Sequence, residues 1–186
     1  MGVKDSKLSP KQLSDIADCT EFNQKEIKDW FRGFKADYPA GFLTIDEFMK
    51  IYSNFYPGGD ASAFANNAFR VFDHNKDGKI DFREFICGIS MSMKGTFEEK
   101  MKWVFQLYDS NENGFISKDE MLIIVKSIHT MCSGGTQEAT AEKQVESVYQ
   151  KADTNADGQL SFDEFFELAK KDPTISNVLT GDMGNY

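Results

Sequence analysis

Histidine is almost missing from this chain: His74 and His129 are the two in 186 residues. With so few imidazoles no Ser/His/Asp or Cys/His constellation can be assembled. No glycine-rich phosphate loop is present either, so an enzyme is not expected. Cysteine is scarce too. Cys19, Cys87 and Cys132 are scattered, odd in number and lack metal-ligand spacing, so they read as reduced thiols of a cytosolic chain rather than a disulfide framework. No run of about 18 apolar residues exists to span a membrane, and the start lacks the charged-then-apolar pattern of a secretion signal. Bases are outnumbered, 21 against 30 acids, for a formal net charge of −9, which argues against nucleic acid as a partner.

The acids are clustered. Twelve of the 30 fall in three segments of twelve residues. In the first segment Asp73, Asn75, Asp77, Asp81 and Glu84 put side-chain oxygens at positions 1, 3, 5, 9 and 12, with Gly78 at 6 and Ile80 at 8. A hard cation such as Ca²⁺ takes six to eight oxygens at roughly 2.3–2.6 Å, and this spacing wraps them around one point. The Lys79 carbonyl fills position 7, and Glu84 supplies two oxygens. This is the EF-hand calcium loop. It returns as Asp109, Asn111, Asn113, Phe115 (carbonyl), Ser117 and Glu120, and again as Asp153, Asn155, Asp157, Gln159 (carbonyl), Ser161 and Glu164. One acidic turn could simply bond its own backbone. Three with the same glycine, aliphatic and glutamate positions predict three calcium sites. Three bound ions would bring the formal charge from −9 to −3. The acid count makes loop 73–84 the one expected to hold Mg²⁺ at rest. Loop 109–120, with only two acidic ligands, should depend most on its partner, loop 153–164.

A fourth copy is damaged. Gly41, Leu43 and Glu47 stand at positions 6, 8 and 12, but positions 1, 3 and 5 are Ala36, Tyr38 and Ala40, with Pro39 at 4. This loop is expected to fold without metal, Glu47 serving as the capping-box partner of Thr44. Capping boxes also mark helix starts at Ser9/Gln12, Asn23/Glu26 and Thr96/Glu99, and amphipathic runs flank every loop. The predicted fold is all-α: four hands in two pairs, with Leu43 pairing Ile80 and Ile116 pairing Leu160 as short antiparallel strands. The division falls after residue 94, giving an amino-terminal pair over 1–94 and a carboxy-terminal pair over 95–186. Residues 132–136 read as a flexible loop. Ile175, Val178 and Leu179 mark a tail able to dock.

The chain begins Met1-Gly2 with Ser6 following, the pattern for N-myristoylation of Gly2. Lys4, Lys7 and Lys11 would add attraction to an anionic leaflet. The amino-terminal half is crowded with aromatics: Trp30, Phe31, Phe34, Phe48, Tyr52, Phe55, Phe64, Phe69, Phe82 and Phe85. That is more than two small hands need for a core and predicts a target groove or lipid pocket.

Four hands in two pairs, a dead first hand containing Pro39 and Gly41, and the Met-Gly-x-x-x-Ser start together resemble the neuronal calcium sensor family over essentially the whole chain. Tyr52–Ser62 and Ile80–Ile86 look most like the hippocalcin, neurocalcin and visinin-like branch, with frequenins next. The complete fourth loop separates the chain from recoverin. Tyr38 and Ala40 stand where the family usually has Cys and a variable residue before Gly41, and the stretch at 132–140 is short. The resemblance implies a calcium–myristoyl switch that exposes lipid and groove to a membrane-associated target helix belonging to a kinase, cyclase, lipid kinase or channel. It implies a cytoplasmic protein reversibly bound to membranes, with weak homodimerisation allowed. The competing readings are a calcium buffer, which needs neither lipid nor groove, and a permanently bound regulatory subunit resembling calcineurin B.

Overall fold

A computed structural model describes residues 7–133 and 138–172, the side chains of Ser133 and Glu138 excepted. Gly2 and the rest of the lipidation pattern, most of the loop at 132–136, and the tail residues Ile175, Val178 and Leu179 lie outside the described residues. Among those described the chain runs α1 (Pro10–Ala17), α2 (Gln24–Asp37), β1 (Phe42–Leu43), α3 (Ile45–Phe55), α4 (Ser62–Phe72), β2 (Ile80–Asp81), α5 (Phe82–Lys94), α6 (Phe97–Tyr108), β3 (Phe115–Ser117), α7 (Lys118–Ser133), α8 (Glu138–Ala152), β4 (Gln159–Ser161) and α9 (Phe162–Lys171). The architecture is all-α with two two-stranded antiparallel ribbons, as predicted.

The helix starts follow from side-chain caps. Ser9, Asn23, Thr44 and Thr96 each accept an N–H from the first turn, and Gln12, Glu26, Glu47 and Glu99 reach back to the cap N–H. Each such box satisfies two amides that the helix cannot pair internally. The ribbons pair Leu43 with Ile80, and Ile116 with Leu160, in the expected register. All four side chains are fully buried, so each pair of loops is tied back to back through its own small apolar core.

One hydrophobic cluster runs through both halves. Phe64, Phe69 and Phe72 of α4 are buried, and the Phe72 ring meets Trp103 of α6 edge-on at 6.1 Å. Each fully buried phenylalanine contributes ~1.5–3 kcal/mol of transfer free energy. Gly88 of α5 makes room for this arrangement, because a Cβ there would overlap the Phe72 ring. Gly59, in the turn between α3 and α4, lies against the end of α7, where a Cβ would overlap the carbonyls of Thr130 and Met131. Beside it the Asp60 N–H donates to Thr130 O at 3.2 Å. The amino-terminal pair therefore rests directly on the exit helix of the third hand.

The cysteine reading needs correction. Cys19, just past α1, and Cys87, in α5, form a disulfide with Cα atoms 6.0 Å apart and a sequence separation of 68. The sequence carries no trace of this, because the two meet only when the α1–α2 linker folds across α5. Cys132 is exposed near the end of α7 and lies outside the bridge.

Candidate functional site

In the three complete loops the backbone curls around the carboxylate at position 1. Asp73 accepts from the N–H groups of Asp77 (3.1 Å) and Gly78 (2.9 Å). Asp109 accepts from Asn113 and Gly114, and Asp153 from Asp157 and Gly158, at 2.9–3.2 Å. The side chains at positions 3 and 5 are set the same way. Asn75, Asn111 and Asn155 accept the N–H of position 5, and Asp77, Asn113 and Asp157 accept that of position 7. Three side chains of each loop that the sequence singled out, at positions 1, 3 and 5, are thus set by the loop's own amides.

The closing glutamate does two things at once. Glu84 Oε2 accepts the Asp81 N–H that begins α5, while Oε1 accepts the Asn75 N–H across the loop at 3.1 Å. Glu120 divides its oxygens between Ser117 and the Ser110–Asn111 turn, and Glu164 between Ser161 and Thr154. The position-9 side chain caps the exit helix by accepting the N–H of that glutamate. Burial pushes the Glu164 carboxyl pKa up, but hydrogen bonds from Ser161 and Thr154 outweigh it and hold the group at about 2. Glu120 is lowered in the same way, with burial opposed by Ser117, Ser110 and Asn111. Both acids are accordingly ionised at neutral pH, the form that a metal requires.

The structure adds a feature that the sequence reading missed. Position 4 is left-handed in every complete loop: Lys76 at φ 59°, Glu112 at 58° and Ala156 at 58°, each followed two residues on by a left-handed glycine. A residue with a side chain reaches this region at some cost. The signal was available in position 4 of the damaged loop. Pro39 fixes its φ near −65°, so that loop cannot make the turn, and Gly41 alone is left-handed there. Glu47 keeps only the capping half of its role, bonding Thr44 N–H and Oγ. Among the described residues no loop-entry amide reaches its other oxygen.

No three carboxylate, imidazole or thiol groups close into a cluster among the described residues. In each donor set carboxylates are mixed with amide, hydroxyl or carbonyl oxygens, two of six in loop 73–84, four of six in loop 109–120 and three of six in loop 153–164, which is the mixture a hard cation accepts. Phe115, the carbonyl position of its loop, turns its ring outward and is 41% exposed.

The complete loops are also wired to one another. Tyr149, on α8, donates its buried hydroxyl to Ile116 O at 2.6 Å, joining the entry helix of the fourth hand to the strand of the third. Tyr149→Phe removes that buried hydrogen bond and is expected to cost about 1 kcal/mol. It should also reduce the cooperativity of calcium binding between loops 109–120 and 153–164. Calorimetric titration of the variant with unchanged cooperativity would remove the bond from that role. Between the halves, Glu112 takes ion pairs from Lys76 and from Arg70, and Arg70 donates to the carbonyls of Gln106 and Leu107 that end α6. Sequence pattern could not have found this contact, since it joins two different loops.

The aromatic set divides. Phe48, Phe64 and Phe69 are buried core, and Phe82 is buried with its ring against Phe31 and Phe34, so these four belong to the core and not to an open groove. Phe31 and Phe82 border a second cleft, near Lys7 and Arg83. Tyr52 packs on Phe48 and Phe64. Trp30, Phe34, Phe55 and Phe85 do line an open groove of about 480 Å³ between α2 and α5 on one side and α3 on the other, with Ile51 at its floor and Asp29 and Asp37 at its edge. Phe55 is 59% exposed there. Among the described residues no helix is long and apolar enough to cross a membrane.

Comparison with known proteins places these features. The EF-hand domain pair family matches residues 98–170, and the EF hand domain family matches residues 64–92. Neuronal calcium sensor 1 of Lymnaea stagnalis is 47% identical over 184 residues, covering 97% of this chain and 96% of that protein. Neuronal calcium sensor 1 of Aplysia californica shows the same identity and coverage.

Proposed function

This chain belongs to the neuronal calcium sensor family of EF-hand proteins, and from that premise we propose that it is a calcium sensor with three Ca²⁺ sites and a groove for a target helix. It is not an enzyme. One observation carries the reading: in loops 73–84, 109–120 and 153–164 the first carboxylate is held by the amides of positions 5 and 6, and the last reaches back across the loop to an amide at position 2 or 3. The ligands are Asp73, Asn75, Asp77, Lys79 O, Asp81 and Glu84, with their counterparts in the other two loops. Loop 36–47 takes no ion, because three ligand side chains are missing and Pro39 forbids the position-4 turn.

The position-12 glutamate sits on the exit helix, so metal binding draws that helix toward the loop and fixes the angle between the helices of the hand. In the amino-terminal half that angle sets the width of the groove between Trp30, Phe34, Phe55 and Phe85. Asp29 and Asp37 at its edge favour a helix that pairs an apolar face with basic flanks. Among family branches, the 47% relatives support neuronal calcium sensor 1, the frequenins, over the hippocalcin, neurocalcin and visinin-like branch that Tyr52–Ser62 suggested.

Calorimetry should show three ions per chain, and an amphipathic basic helix should bind with calcium and be released by chelator. Three ions without calcium-dependent helix binding would favour the buffer, since the groove would then be idle. Helix binding that ignores chelator would favour a permanent subunit. The lipid half of the proposal rests on the Met-Gly-x-x-x-Ser start. One myristoyl chain gives marginal, reversible anchoring, so the acylated protein should sediment with anionic liposomes in calcium and remain soluble in chelator. Gly2→Ala should stay soluble in both. Sedimentation of Gly2→Ala equal to that of the parent would remove the acyl chain from the account.

A further inference from the structure

The face of α5 that leads away from Glu84 is clasped by the α1–α2 linker. Cys87 is bonded to Cys19. One turn on, Ser90 Oγ accepts the Glu21 N–H at 2.8 Å. A further turn on, Lys94 pairs with Glu26 at 2.9 Å and lies 4.4 Å above the Phe22 ring. Residues 87, 90 and 94 share one side of a helix, so three successive turns of α5 are fastened to the segment that joins α1 to α2. Cys19 is exposed and Cys87 half-buried, so a small reagent can reach the bridge from the Cys19 side. A cytosolic compartment would keep most disulfides open, which makes an accessible bridge there a variable rather than a fixture.

We propose that Cys19 and Cys87 are a thiol–disulfide exchange site whose oxidation fixes α5 and raises the calcium affinity of loop 73–84. The co-reactant is a small disulfide such as glutathione disulfide. A thiolate of the pair attacks one glutathione sulfur, breaking that S–S bond and forming a mixed disulfide; the second protein thiolate then attacks the protein-bound sulfur of the mixed disulfide. The net change is one protein S–S bond formed, one glutathione S–S bond broken, and the two thiol protons carried by two molecules of reduced glutathione. Glu84 lies three residues before Cys87 on the same helix. A clasped α5 therefore presents Glu84 to the loop before calcium arrives, and binding no longer has to supply the ordering of that helix. The inference rests on loop 73–84 being a calcium site.

The test uses the full chain in glutathione buffers of varied reduced-to-oxidised ratio. Maleimide trapping and mass measurement count the thiols, and the Gly78 amide resonance follows calcium at that loop alone. Cys19 and Cys87 should change together with the ratio, and the bridged form should bind at loop 73–84 about tenfold more tightly than the dithiol, a coupling of ordinary size. Cys87→Ser should bind as the dithiol does in every buffer. A pair that stays bridged or stays reduced across the whole range overturns the exchange. A pair that exchanges while the Gly78 titration stays put overturns the coupling. If Gly78 ignores calcium in both forms, the calcium reading of that loop fails and the gating fails with it, while the trapping still reports on the exchange by itself.

Discussion

Calcium titration of Glu84→Gln is expected to end at two ions rather than three, with affinity at loop 73–84 reduced on the order of 100-fold or more. The carboxylate now offers two oxygens and a charge, one oxygen facing the Asn75 amide and the other the start of α5. Glutamine keeps one oxygen and loses the charge. It still serves at the third position of a capping box, so α5 keeps its N-terminus and the fold should survive. That separation makes the variant informative. The Gly78 amide should stop responding at calcium concentrations that saturate the parent, while Gly114 and Gly158 respond as before. Calcium-dependent helix binding through the Trp30–Phe85 groove should be lost as well, because the exit helix is no longer drawn in. Three ions bound with unchanged affinities would sink the ligand assignment for this loop.

Gly59→Ala is expected to loosen the contact between the two halves and destabilise the protein by about 1–3 kcal/mol, the usual range for forcing extra atoms into a packed site. Its added Cβ would meet backbone carbonyls of Thr130 and Met131, and backbone cannot swing aside as a flexible side chain can. Relief requires the α3–α4 turn to lift from α7, which breaks the Asp60–Thr130 hydrogen bond. Since α7 is the exit helix of the third hand, the variant should also uncouple calcium binding at loop 109–120 from changes in the amino-terminal groove. Thermal unfolding checks the first effect, and Trp30 emission during calcium titration checks the second. Gly58→Ala is the control, as a Cβ there meets nothing within 4 Å. Equal behaviour of the two variants would show that the Gly59 contact carries no such coupling.

The calcium loops were legible in the sequence because their chemistry is local. Twelve consecutive residues fix the position of every oxygen-bearing side chain, and the same residues fix the glycine turn, the strand register and the cap of the exit helix. The different turn of loop 36–47 was legible too, since Pro39 acts within its own loop. The left-handed turn at position 4 was legible in principle and was overlooked, because three different residues occupy it: Lys76, Glu112 and Ala156.

Tertiary structure decided what depends on where helices cross. Counting aromatics could not separate Phe48, Phe64 and Phe69, which the cluster buries, from Trp30, Phe55 and Phe85, which line the groove; all carry the same helical periodicity, and only the angles between α2, α3 and α5 assign them a side. Cysteine spacing gave the wrong chemical state for Cys19 and Cys87, because a bridge spanning 68 residues exists only after the linker has crossed α5. The seat of Gly59 on α7 and the grip of Arg70 on α6 are of the same kind. The geometry of each loop was thus determined by sequence alone, through short-range spacing of oxygens and glycine. How one loop reaches another, and which apolar surface stays open to a partner, was decided by packing between helices far apart in the chain.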